Sequence, residues 1–227
     1  CNPLWKYMKP LHDHTARLSC LFSSGKPVVD NALFFDTLSL WSSDVILHNC
    51  EEQDRIAYRL LERQCDFDYI DDDMLENAVY HDSVLQADKA CYRRLILPED
   101  CAMTEKAKNN LEKCRRAGLE ILTSDQISQI PPTLRLEKAD WRLRVRKIDL
   151  KDGNIVYFVI NTSKQALDAT LLAAEKGAAA QVDAESGKLW KLRRSSEAWQ
   201  WHFEPMTSAV FLVGKAAEAA EKMERPV

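Results

Sequence analysis

Few residues in this chain are placed to do chemistry. Cys101 follows Leu97-Pro98-Glu99-Asp100 at the end of a predicted strand, where open α/β sheets collect their ligand sites. An attacking cysteine or serine needs a strained turn flanked by glycines. None flanks Cys101, so it reads as structural, with a divergent Cys-dependent hydrolase as the competing reading. Asp71, Asp72 and Asp73 end another predicted strand, where a doubly wound fold often puts a ribose- or metal-binding acid. Without a partner ligand or glycine motif they read as helix capping. The histidines His12, His14, His48, His81 and His202 are scattered; His12 and His14, two apart, point away from each other on a helix and make a poor metal pair. Trp199, Trp201 and Phe203 alternate along one strand and share a face, as sandwich core or as a platform on which sugar rings stack. Only six glycines occur and none has loop-to-helix spacing, so no phosphate-cradling loop is present. No cofactor and no metal are expected.

The elements that must position these residues come in two styles. Leu11, Leu18, Leu21 and Phe22 share one face of a predicted helix, with Gly25 where a C-terminal cap would sit. Val28 to Phe35 reads as a buried strand. A helix over Asp54–Cys65, a strand over Phe67–Ile70, a short helix after Asp71, a small hairpin around Val84–Tyr92, a strand over Arg94–Leu97, a helix over Thr104–Ala117 and a strand over Leu119–Leu122 follow. Strands alternating with helices imply a parallel sheet with crossovers, a doubly wound α/β fold of flavodoxin-like or amidotransferase-like type. Beyond Pro131-Pro132 the period changes to two. Short strands from Leu143 to Val213, with turn signals at Lys151-Asp152-Gly153 and Ala184-Glu185-Ser186-Gly187, read as a small antiparallel β-sandwich. The expected division is 1–27 as opening segment and helix, 28–130 as α/β domain, 131–214 as sandwich and 215–227 as a frayed or disordered tail.

Composition supports the break and limits the function. All seven cysteines precede residue 115, whereas four of the six tryptophans follow residue 140. An odd cysteine count without Cys-x-x-Cys or zinc spacing points to reduced thiols in a cytoplasmic protein. Apolar runs such as Ile155–Ile160 are too short to span a bilayer, so no membrane anchor is expected. A net charge of −4 with interspersed signs leaves no footprint for nucleic acid.

Three stretches carry a family resemblance: Asn2-Pro3-Leu4-Trp5 through Asp30, Leu60-Leu61-Glu62-Arg63-Gln64-Cys65-Asp66-Phe67-Asp68-Tyr69-Ile70-Asp71-Asp72-Asp73, and Tyr92-Arg93-Arg94-Leu95-Ile96-Leu97-Pro98. Together with Val156–Ser163 and Ala209–Val213 they resemble the region after the catalytic barrel in multidomain glycoside hydrolases related to α-L-rhamnosidases and β-galactosidases, including a glutamine-amidotransferase-like domain. Where that family often has glycine after the strand-ending proline, this chain has Glu99. The resemblance implies that the chain starts inside a longer protein and that the catalytic carboxylates lie upstream of Cys1. No catalytic residue is assigned within it. The implied role is to scaffold the barrel, with oligomer contacts, and the carbohydrate is a substrate of the parent enzyme. Asn2 and Trp5 would leave the last barrel strand and border the sugar site, or Trp5 would staple the connection. An independent carbohydrate-binding module is the competing reading, resting on Trp199 to Phe203.

Overall fold

The computed structural model describes residues 3–42, 46–193 and 197–222. The chain forms two compact units, Val29–Thr133 and Cys1–Val28 with Leu134–Val227. The fold is mixed α/β, with one parallel sheet and several antiparallel ones.

The chain begins with a single 3-10 turn, Trp5–Tyr7, helix α1 (Met8–Ser23) and strand β1 (Gly25–Pro27). Leu18, Leu21 and Phe22 pack on Ile148, Val156, Val210 and Leu212, and Phe22 meets Phe158 edge-on at 5.1 Å. Leu11, from the same predicted face, is exposed. Gly25 does not cap the helix: Ser24 closes it, its N–H donating to the carbonyls of Cys20 and Leu21. Gly25 instead lets β1 approach its neighbour, since a Cβ there would lie 2.6 Å from the Asp149 carbonyl oxygen.

In the unit Val29–Thr133 the elements run β2 (Asn31–Phe34), α2 (Thr37–Ser42), α3 (Ile46–Glu62), β3 (Phe67–Ile70), α4 (Asp72–Asn77), β4 (Val79–His81), β5 (Val84–Ala87), β6 (Ala90–Tyr92), β7 (Arg94–Ile96), α5 (Glu105–Arg116) and β8 (Glu120–Leu122). The parallel sheet has order β3-β2-β7-β8. All of β2 is buried, as expected of a strand covered on both faces. Ala32, Phe34, Ile70 and Leu95 pack with Leu75, Ala107 and Leu111 of α4 and α5. Leu33, Ile96 and Leu122 pack with Ile56 and Leu60 of α3. The predicted hairpin is a three-stranded meander, β4-β5-β6, whose turns use Asp82, Ser83 and Asp88 at positive φ in place of glycine.

The chain returns through β9 (Arg135–Leu136), β10 (Leu143–Leu150), β11 (Ile155–Asn161), β12 (Leu167–Leu172), β13 (Ala179–Val182), β14 (Leu189–Lys191), β15 (Ala198–Phe203), β16 (Ser208–Val213) and β17 (Glu221–Lys222). Seven strands, β1-β10-β11-β16-β13-β14-β17, make one sheet and β15-β12-β9 another. Tyr157, Val159 and Phe211 of the first share a core with Leu167, Leu171, Trp199 and Phe203 of the second. The tail expected to fray is ordered through Lys222: Ala217 is fully buried in a 3-10 turn, and β17 pairs parallel with β14.

The triad of Lys147, Tyr157 and Glu175 is expected to make the stability of this unit depend on pH. The Glu175 carboxylate accepts from Lys147 Nζ at 2.6 Å and the Tyr157 hydroxyl at 2.5 Å. Burial alone would raise its pKa, but the two side-chain hydrogen bonds, with a backbone hydrogen bond and the Lys147 charge, together outweigh burial and hold it below the ordinary 4.5. A carboxyl depressed on folding adds stability above its unfolded pKa and loses it as pH falls through the folded one. The stability advantage over Glu175→Gln should therefore be about 1–3 kcal/mol near neutral pH and shrink as pH falls below 4.5. Thermal unfolding of both proteins across acid pH measures this; an advantage that grows on acidification would refute it.

Candidate functional site

In a doubly wound fold the natural site is the crevice outside the carboxyl ends of the parallel strands. Here two buried carboxylates tie that edge shut. Asp36, just past β2 and 2% exposed, accepts the Ser39 N–H on Oδ1 and the Ala102 N–H on Oδ2, both at 2.8 Å. Asp72, past β3 and 5% exposed, accepts the Thr104 N–H at 2.7 Å. Thr104 in turn caps α5 by accepting the Ala107 N–H and donates to Glu76 at 2.7 Å. The segment after β7 is thus pinned to the segments after β2 and β3, where an open crevice would otherwise lie.

The aspartate run has divided roles. Asp71 caps α4, accepting the Met74 N–H at 3.0 Å, as the capping reading expected. Asp72 turns inward, and Asp73 is exposed. The inward tie could not be read from the run itself, because it depends on Thr104, 32 residues away.

Cys101 lies on the pinned segment. Burial pushes its thiol up to about 11, and the charges of Asp36, Glu52 and Asp72 add to the effect. That is the opposite of nucleophile activation, which needs a cation or a helix N-terminus beside sulfur. At pH 8 the thiolate fraction of Cys101, and with it the alkylation rate, should be roughly 100-fold below that of a thiol with the ordinary pKa of 9.0. The exposed Cys20 and Cys91 serve as internal references in peptide mapping by mass spectrometry. Labelling of Cys101 as fast as theirs would restore the hydrolase reading.

Beside this closed edge lies an open cleft of about 470 Å3. Glu52, Arg55 and Arg59 line it from one face of α3, Glu99 and Asp100 from the segment after β7, and Asp125 from the 3-10 turn after β8. Glu52 accepts the Glu99 N–H at 3.1 Å. Asp100 has φ +53°, a left-handed conformation rare outside glycine.

The remaining candidates are dispersed. Trp199 and Phe203 are buried, Trp201 is half-buried, and all three rings meet Phe211 edge-on with centroids 5.2–6.4 Å apart. The row is core, so it offers no sugar platform. His81 contacts Asp82 and Gln86, and His202 contacts Asp168 and Glu204. The His48 side chain lies outside the described residues. Among the described residues no group of three or more His, Cys, Asp or Glu is arranged to hold a metal, and no helix is long and apolar enough to cross a membrane. Asn2 lies outside the described residues. Trp5 is 73% exposed, and Leu4, Tyr7 and Leu11, close to it in sequence, are each more than half exposed.

No protein-family model and no curated protein matches this sequence. Solved structures do. A rhamnosidase from Novosphingobium sp. PP1Y is similar over 96% of this chain and 26% of its own, with 17% identity and a TM-score of 0.66. Alpha-L-fucosidase isoenzyme 2 from Paenibacillus thiaminolyticus is similar over 88% of this chain and 50% of its own, with 10% identity and a TM-score of 0.55. Gan42B, a GH42 beta-galactosidase from G., is similar over 83% of this chain and 40% of its own, with 7% identity and a TM-score of 0.53. The structural neighbours are thus glycoside hydrolases, and at these identities what is shared is the fold. This chain spans between a quarter and a half of their lengths.

Proposed function

We propose that this chain is the non-catalytic, post-barrel part of a cytoplasmic glycoside hydrolase, scaffolding the catalytic domain of the same polypeptide. The observation that carries the reading is the likeness to the rhamnosidase over 96% of this chain but 26% of that one. The strand order β3-β2-β7-β8 corresponds to the first four strands of the flavodoxin-like order 2-1-3-4-5, which supports a flavodoxin-like or amidotransferase-like unit. The crevice pinned by Asp36 and Asp72 favours a unit without catalysis of its own at that edge. The partner surface is the start of the chain. Leu18, Leu21 and Phe22 anchor one end of α1 in the sheet, whereas Leu4, Trp5, Tyr7 and Leu11 at the other end stay exposed. Four large apolar side chains exposed within eight residues favour an interaction site at this end of the helix. Trp5 and Asn2 would then border the sugar site of the joined domain, and further contacts of the scaffold would join copies of the enzyme.

Two assays test this. The isolated chain should show no turnover of nitrophenyl glycosides above a buffer blank; activity that disappears on mutating an acid in this chain would overturn the reading. In the full-length protein, Trp5→Ala should lower kcat/KM with little change in thermal stability if Trp5 borders the sugar site. Loss of stability with normal kinetics would make it a staple.

A further inference from the structure

The cleft between α3, the segment after β7 and the 3-10 turn after β8 has an arrangement that the scaffold role does not use. Arg55 and Arg59, one turn apart on α3, face it together with the carboxylates of Glu52, Glu99, Asp100 and Asp125. Opposite charges that share a small cleft normally pair. Among the described residues, neither guanidinium forms an ion pair or hydrogen bond with these carboxylates. The two guanidiniums share the α3 wall with Glu52, while the carboxylates of Glu99, Asp100 and Asp125 come from the other walls, and about 470 Å3 lies within the range of small-ligand sites.

We infer that this cleft binds a neutral sugar of one or two rings. A sugar hydroxyl both donates and accepts, so vicinal hydroxyls can accept from the planar Arg forks and donate to the carboxylates in one pose. A phosphate or an acidic sugar is disfavoured, because four carboxylates outnumber two guanidiniums. An amino acid would satisfy one site of each sign and leave the other charged groups unused. Part of the cleft is fixed independently of any ligand: Glu52 is held by the Glu99 N–H, and Ile56 is buried in the α3 core. The site is built from residues of the unit Val29–Thr133 alone, and it does not depend on the existence of a catalytic barrel.

The test uses the 227-residue chain alone, so its failure is separate from failure of the scaffold reading. Amide chemical shifts are followed while methyl glycosides of rhamnose, galactose and glucose are added, with galacturonate and glutamine as the acidic and zwitterionic comparisons. Saturable shifts confined to α3, the 99–100 segment and the 124–125 turn are expected for at least one neutral glycoside. A dissociation constant on the order of 1–10 mM suits a ligand of about twelve heavy atoms. Arg55→Ala and Arg59→Ala should each weaken binding on the order of tenfold, with unchanged thermal unfolding. Absence of saturation at roughly 100 mM glycoside, ten times that range, binding indifferent to both arginine variants, or binding of only galacturonate or glutamine would each overturn the inference.

Discussion

Replacing Gly214 with alanine is expected to destabilise the β unit by about 3–5 kcal/mol, one of the largest losses available from a single methyl group in this chain. Gly214 has φ +135° and ψ −163°, a region essentially confined to glycine. A Cβ there would fall 2.4 Å from Asn154 Oδ1 and 3.2 Å from its Cα. Asn154 cannot step aside cheaply. It is 3% exposed, its Oδ1 accepts the Ala216 N–H at 2.9 Å, and its carbonyl closes the turn by accepting from Leu150. Moving it leaves buried polar groups unpaired, at about 1–3 kcal/mol each. Gly153→Ala is the control, because φ there is +79° but no atom lies within 4 Å of the added methyl. It should cost only about 1 kcal/mol of backbone strain. Urea unfolding of the two variants decides, and a Gly214→Ala loss no larger than that of Gly153→Ala would show that the Asn154 contact carries no weight.

The same pair shows what could be read from sequence. Lys151-Asp152-Gly153 announces a turn through residue type alone, and the structure has it between β10 and β11. The approach of Gly214 to Asn154 spans 60 residues and leaves no local trace. Helices with a clear apolar stripe, such as α5 with Ala107, Leu111 and Cys114 inward, were legible for the same reason as the turn: a period within the element encodes them. The meander β4-β5-β6 was only half legible, because its turns use Asp and Ser at positive φ where glycine would have been a signal. In the site, Asp71 as a cap is a local pattern and was readable. Asp36 and Asp72 as ties, and the cleft of Arg55 and Arg59, arise from the convergence of strand-end segments far apart in sequence, and no spacing rule reports that. Trp199 to Phe203 was ambiguous in principle, since alternation fixes a shared face but not what covers it.

Removal of the Asp36 carboxylate should open the strand-end edge that the fold holds shut. Both oxygens accept backbone N–H groups, Ser39 on one and Ala102 on the other. Bonds from N–H to a charged acceptor are among the stronger ones, about 1.5–3 kcal/mol net each. Asp36→Ala leaves both donors without their acceptor and should cost about 3–5 kcal/mol. Asp36→Asn keeps the shape but must turn its own NH2 toward one of the two donors, so about half of that loss is expected. Asp73→Ala, at an exposed position of the same edge, should stay within about 0.5 kcal/mol of the parent. Stability alone does not identify the edge, so a second readout is needed. Cys101 lies one residue before Ala102, and the charge of Asp36 helps to hold its thiol high. Freeing the segment exposes the sulfur, and deleting the carboxylate removes one contribution to its raised pKa, so both changes speed alkylation. Asp36→Ala should therefore label at Cys101 faster than the parent at pH 8, while Asp73→Ala should not. If Asp36→Ala is destabilised with Cys101 labelling unchanged, the loss arises at the Ser39 end, and Asp36 is a cap for α2 and not the tie that closes the crevice.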